Sequence, residues 1–254
     1  MKRIDLNCDM GEIPDAIADG TQESLMPSLT SVNIACGGHA GDASTMKATV
    51  QQALRWRLSI GAHPGYPDRA NFGRVALDLP PETISASVFE QVRALAEIAA
   101  ASGATVAHVK PHGALYNQAA ADRTLARAIA DGVRRWNRDV TLVGLAGSAM
   151  LDVFREAGFR IAAEAFADRR YEPDGTLRSR KFDDALLHDP AEAARQALGI
   201  AERGAVVASN RAEITMIAQT LCIHGDTPGA PKIAAAVAQA LRQSGIELRA
   251  LARS

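Results

Sequence analysis

The chain has 254 residues and 26.8 kDa, enough to bury a sizeable core in one large domain or two small ones. Hydrophobic residues make up 47% and charged residues 22%, which excludes disordered and fibrous classes, and a net charge of −1 offers no field for nucleic acid or an anionic membrane. No apolar run approaches a membrane span, and the N-terminal MKRIDLNCDMGE turns acidic too soon for a signal peptide, so a cytoplasmic protein is expected.

In chain order, short β-like runs alternate with longer segments of helical period. RIDLNC and SVNIAC read as strands, and Asp42 then caps a helix with Met46, Val50 and Leu54 along one face. LSIGAH follows. A second helix opens at Pro80–Pro81 and carries Ile84, Val88, Val92, Leu95 and Ala99 to a stop at Gly103. The strand ATVAHVK leads to a third helix through Leu125, Ile129, Val133 and Trp136, and VTLVGLA and FRIAAEAF are the next strands. A segment over roughly 167–188 reads as either a lid or a solvated excursion. A fourth helix runs from Asp189–Pro190 to Gly204, AVVAS is a further strand candidate, TLCIHG another, and a fifth helix spans Pro231 to Gly245.

Strand after strand runs from apolar residues into a polar or Gly-rich cluster: DLNCDMGE, ACGGHAGD, AHPGYPDR, VKPHGALY, GLAGS, EAFADRRY and CIHGD. A doubly wound open sheet gathers only the strand ends near a switch point, whereas a (β/α) barrel gathers all of them on one face. The pattern predicts an α/β protein with a TIM-like (β/α) barrel occupying residues 1–254 as a single domain.

Of six histidines, His39, His63, His112 and His224 lie in Gly- or Pro-rich turns at strand ends, and His108 lies within a strand. Each alone is commonly a structural hydrogen-bonding residue; four at converging ends point to a shared polar site. Alternation along the first strand sends Asp5, Asn7 and Asp9 to one face, the barrel interior, where Asp5 and Asp9 are expected to act as one acidic pair. Gly37 and Gly38 line a turn that enters a helix N-terminus, where Asp42 is either a cap or a site residue. Neither GxxxxGK[ST] nor GxGxxG is present, so any nucleotide would bind by another route. Lys110 leaves an apolar strand for a Pro-His-Gly turn, as an anion clamp, a Schiff-base amine or an acid–base group, and Arg74 follows the third strand as an anion-binding guanidinium. Cys8, Cys36 and Cys222 are too scattered for a disulfide framework and read as packing thiols rather than nucleophiles.

The ordered motifs DLNCDMGE, SVNIACGGHAGD, GAHPGYPD with FGR, VKPHGALYN, EAFADRRY and CIHGDTP resemble the LamB/YcsF family of 5-oxoprolinase A subunits, from Asp5 to about Ala230. The chain departs from the family pattern at Gly38, where a bulky residue is usual, and at Val75, where a second arginine is usual. The resemblance implies a distorted, seven-stranded barrel related to sugar-deacetylase barrels. It also implies ATP-driven opening of 5-oxo-L-proline to L-glutamate, with Mg²⁺ on the nucleotide, in a complex with separate B and C subunits; homo-oligomerisation stays open.

Under that resemblance the expected catalytic positions are Asp5, Asn7, Asp9, Glu12 and His39, together with Asp42, His63, Lys110 and His112. Expected substrate- or ATP-binding positions are Asn33, Gly37, Gly38, Arg74 and Tyr116, with Arg169, Arg180, His224 and Asp226. Two other readings stay open. One is a metal-dependent amidase or deacetylase on the same barrel, its ion held by Asp5, Asp9, His39 and His63. The other is a non-catalytic subunit that binds a small acid.

Overall fold

The computed structural model describes residues 2–251. Six strands alternate with helices in the first two-thirds of the chain: β1 (Arg3–Met10), β2 (Ser31–Ala35), β3 (Ser59–His63), β4 (Val106–Val109), β5 (Thr141–Leu145) and β6 (Arg160–Phe166). β7 (Ala205–Val207) and β8 (Glu213–Thr215) form an antiparallel hairpin outside the main sheet, so the AVVAS strand exists but takes no part in the barrel. β9 (Thr220–Ile223) then pairs with both β6 and β1, closing seven parallel strands into a barrel, and β10 (Glu247–Leu248) prolongs the sheet beside Arg3 and Ile4. The distorted seven-stranded barrel is what the strand-end pattern and the resemblance implied.

The helices are α1 (Pro14–Ala18), α2 (Ala43–Arg55), α3 (Pro81–Ala101), α4 (Gly113–Ala119), α5 (Arg123–Trp136), α6 (Ala149–Glu156), α7 (Pro190–Leu198) and α8 (Ala230–Gln243). The five read from periodicity are α2, α3, α5, α7 and α8; the short α1, α4 and α6 offer too few turns for a period to show. On α2, Leu54 is 40% exposed and Ala53 takes the buried place, because a 3.6-residue period returns to the face of Met46 after seven residues rather than eight. No helix among the described residues is long and apolar enough to cross a membrane.

β1 is the axis of the design. Ile4, Leu6, Cys8 and Met10 are buried in the apolar core, while Asp5, Asn7 and Asp9 point the other way into the barrel. The interior is therefore polar and ordered in layers. At the floor, Asp5 accepts hydrogen bonds from Thr30, Ser31 and Thr220. Above it, Asn7 donates to Glu164 and Thr220, and Asn33 donates to Asn7 and Asp9. His108 crosses the barrel to within 2.8 Å of the Asn33 amide oxygen. That crossing requires Gly61, since a Cβ there would stand 2.1 Å from His108 Nε2.

Candidate active site

At the barrel mouth a cavity of about 600 Å³ opens among Asp9, Glu12, His63, Lys110, His112 and Tyr116, with Arg74, Arg169, Arg180, His224 and Asp226 around its rim. Its size lies within the range of small-molecule sites. Lys110 follows β4 and is 2% exposed; its Nζ lies 2.8 Å from Asp9 Oδ1 and 2.9 Å from Glu164 Oε1. Burial alone favours a neutral amine, but these two carboxylates outweigh it and hold the ammonium well above its ordinary range. Burial likewise raises the Asp9 carboxyl, and the charges of His63 and Lys110 reverse the effect, holding it well below the usual carboxylate range.

The histidines converge beside this pair. His63 ends β3, with Nδ1 donating to the Lys110 carbonyl oxygen at 2.8 Å and Nε2 lying 3.2 Å from Asp9 Oδ2. Burial favours the neutral His63 ring, yet Asp9 raises its basicity above the usual histidine value. His112 caps α4, with Nε2 donating to the Phe72 carbonyl oxygen at 3.0 Å and Nδ1 lying 3.0 Å from His63 Nε2. His39 stacks on His112 with ring centroids 3.6 Å apart, and its Nε2 meets Glu12 Oε1 at 2.9 Å. Burial, then the charge of His63, keeps both rings neutral, His39 being pushed down to about 2. Burial raises the Glu12 carboxyl. Gly73, at φ 61°, packs against this stack: a Cβ there would lie 2.7 Å from the His39 Cβ.

Beyond β6 the chain supplies the opposite wall. Asp168 is fully buried and accepts from the His224 backbone N–H at 2.9 Å, with His224 Nδ1 3.0 Å from its other oxygen; the His224 ring stacks on Phe166. Arg169 is 6% exposed, donates to the Arg178 carbonyl oxygen, and has no partner for its Nε. Burial, then the neighbouring Arg180, lowers its guanidinium to about 10. Arg74 and Arg180 share Asp226. The 176–181 strip of the 167–188 segment lines the cavity, whereas Arg178 is held between Glu172 and Asp184, and Arg170 pairs with Glu192.

Several sequence expectations need correction. Asp5 does not reach the cavity and does not pair with Asp9: four residues of strand separate them by about 13 Å, and the hydrogen bonds to Asp5 come from hydroxyls. Asp42 is the N-cap of α2, accepting from the Ser44 and Thr45 backbone N–H groups in a reciprocal capping box, and stands exposed outside the cavity. Gly37 and Gly38 do not line the cavity; Gly38 is packed beneath Gln91 and the Gly65 carbonyl, so the bulky residue usual in the family has no space here. Asn7 and Asn33 lie one layer below the mouth and brace Asp9. Glu164 and Asp168 were missed; the signal was a period-two run of Glu164, Phe166 and Asp168 leaving an alanine-rich strand. All three cysteines are free and buried, and burial raises each thiol, Cys36 to about 12, which fits packing rather than nucleophilic roles.

This geometry sits on a sequence whose residues 4–254 match the LamB/YcsF family throughout. The chain belongs to that family. It is 48% identical over 249 residues to the 5-oxoprolinase A subunit of Chloroflexus aggregans, covering 98% of this chain and 99% of the relative. The same identity holds for the 5-oxoprolinase A subunit of Methylococcus capsulatus, with 98% and 96% covered. Among solved structures, a lactam utilization protein from Thermus thermophilus superposes with a TM-score of 0.91 at 42% identity, covering 98% of this chain and all of the other (100%). A family 4 carbohydrate esterase from Streptomyces lividans shares the fold alone, at TM-score 0.51 and 11% identity over 99% of this chain and 94% of the esterase.

Proposed function

We propose that this chain is the A component of an ATP-dependent 5-oxoprolinase, opening 5-oxo-L-proline to L-glutamate in a complex with B and C subunits. The observation that carries the reading is the buried Lys110–Asp9 pair at a cavity wall, within a family whose near-full-length relatives bear that name. The cavity is larger than an oxoproline ring requires and is rimmed by Arg74, Arg169 and Arg180, which suits a carboxylate together with a phosphorylated partner.

A five-membered lactam is unactivated, and its closure is favourable, so opening needs an external drive. ATP, with Mg²⁺ on its phosphates, supplies a phosphoryl group to the lactam oxygen. Water then adds to the ring carbon, the C–N bond breaks to leave an acyl phosphate and a free amine, and a second water releases phosphate. Within that sequence Lys110, held as an ammonium, donates to the anionic phosphoryl group that the lactam oxygen carries. Asp9, held ionised, takes the proton of the attacking water and returns it to the ring nitrogen as the C–N bond breaks. Arg169 and Arg180, which both line the cavity, grip the anionic groups of the substrates.

The test is glutamate formation from 5-oxoproline and ATP, with this chain alone and with candidate B and C subunits added. Glutamate appearing in step with ADP, and lost when Lys110 is replaced by Met, is the expected result. Turnover without ATP would replace the reading with a simple amidase. Calorimetric binding of 5-oxoproline with no turnover in any combination would leave a protein that only binds a small acid.

A further inference from the structure

Around the cluster beside Asp9, three imidazoles and one carboxylate converge. His63 Nδ1 and His112 Nε2 each face a backbone carbonyl oxygen, at 2.8 and 3.0 Å. A carbonyl only accepts, so both of those nitrogens carry the proton. In neutral rings the opposite nitrogens, His63 Nε2 and His112 Nδ1, therefore present lone pairs to each other at 3.0 Å. Something positive must lie between them. A proton on one ring could serve those two atoms, but two further donors aim at the same point. Glu12 Oε1 lies 3.3 Å from His112 Nδ1, 3.8 Å from His63 Nε2 and 2.9 Å from His39 Nε2. All four donor atoms fall within 4.8 Å of one another.

We infer that Glu12, His39, His63 and His112 bind one divalent transition-metal ion of zinc's class at the barrel mouth. Metal–ligand bonds of about 2.0–2.2 Å place neighbouring donors about 2.8–3.6 Å apart in octahedral or tetrahedral shells; three of the six donor separations, 2.9, 3.0 and 3.3 Å, lie in that interval, and the wider ones, up to 4.8 Å, close as the ion binds. Three imidazoles and one carboxylate suit zinc, cobalt, nickel or iron rather than the all-oxygen shells of calcium and magnesium. The carbonyl contacts of His63 and His112 are the supporting bonds that ligating histidines habitually make through their other nitrogen. His39 lacks one, its buried Nδ1 having no partner, so it is the least firmly held of the three.

The three rings are almost fully buried, whereas Glu12 is partly exposed and lines the cavity along with His63 and His112. With all four donors engaged the shell is closed, and a water or carbonyl oxygen from the cavity would join it as a fifth ligand or in the place of the weakly held His39. The ligand set differs from the one that the residue types first suggested. Asp5 lies at the barrel floor, and Asp9 gives one oxygen to Lys110 and stands at the edge of the group.

The experiment uses the full chain, stripped with chelator and titrated with zinc by calorimetry, followed by diffraction at the zinc absorption edge. One equivalent is expected, with the anomalous peak among the four donors, and cobalt in its place should give the visible bands of a low-coordinate site. His63→Ala and His112→Ala should each lower zinc affinity on the order of a hundredfold or more, since losing even a supporting partner costs ten- to a hundredfold. His39→Ala should cost less, and Asp42→Ala nothing. Should a histidine variant fail to fold, the wild-type anomalous map and cobalt spectrum still decide. No saturable binding, or a peak away from these donors, overturns the site. The readout is independent of glutamate formation: an active, metal-free complex removes this site and spares the proposed function, whereas bound zinc without turnover does the reverse.

Discussion

Asp5 and Asp9 stand on the same face of β1, yet one belongs to the barrel floor and the other to its mouth. At the floor, three hydroxyls from Thr30, Ser31 and Thr220 surround a carboxyl that has no cation beside it. Burial dominates there and raises the Asp5 carboxyl, with the hydroxyls only partly offsetting it. At the mouth, Asp9 meets Lys110 and His63, which outweigh burial and hold the carboxyl ionised. The same residue type thus makes a hydroxyl-bonded structural link in one layer and a cation-paired, cavity-facing reagent in the next. What separates them is the company of cations, not depth along the strand.

The largest test of that contrast is Lys110→Met. It leaves Asp9 and Glu164 buried without their shared cation, so we expect about 3–5 kcal/mol of lost stability by urea denaturation. Glutamate formation should fall on the order of a hundredfold or more. Adding Glu164→Gln should recover much of the stability and none of the rate; recovery of both would reduce Lys110 to a structural counter-ion.

At the floor, Asp5→Leu strands the Ser31 and Thr220 hydroxyls, Thr30 keeping the Leu6 carbonyl oxygen, and should cost about 3 kcal/mol, read from the same denaturation curves. Asp5→Asn keeps an acceptor and should preserve near-normal activity with the partner subunits. Its stability relative to wild type should also change with pH. A carboxyl whose folded pKa is raised above 3.8 costs stability as pH rises past that value, so wild type should gain on the Asn variant as pH falls toward 4. A large activity loss in Asp5→Asn would break the contrast.

Asp168 has the opposite sign. Burial raises its carboxyl, but the charge of His224 and hydrogen bonds from its ring and backbone bring it below 3.8. Its stabilisation is therefore present above pH 3.8 and is lost as pH falls through the folded value. Urea midpoints of wild type should fall more steeply below pH 4 than those of Asp168→Asn; parallel acid limbs would remove Asp168 from the mouth's charge network. The smallest effect is expected at Asp42→Ala, which removes the α2 cap for about 1 kcal/mol and leaves turnover unchanged.

Much of this was legible in one dimension. Strand alternation, the helical period of α2, α3, α5, α7 and α8, and the polar turn after nearly every strand follow from local chemistry, and they were enough for a barrel with a site at its carboxyl end. The sequence also placed Asp9, Glu12, His63, Lys110 and His112 at that end, where the cavity opens. It did not reveal which β1 carboxylate lies at the mouth, because two residues on one strand face look alike until neighbouring strands surround them. Nor did it reveal Glu164 as the second counter-ion of Lys110, or the His63–His112 contact. Those depend on atoms brought together across the closed barrel from β3, β4, β6 and the turns that follow them, and only closure sets the distances at which charge, burial and lone pairs decide what each group can do.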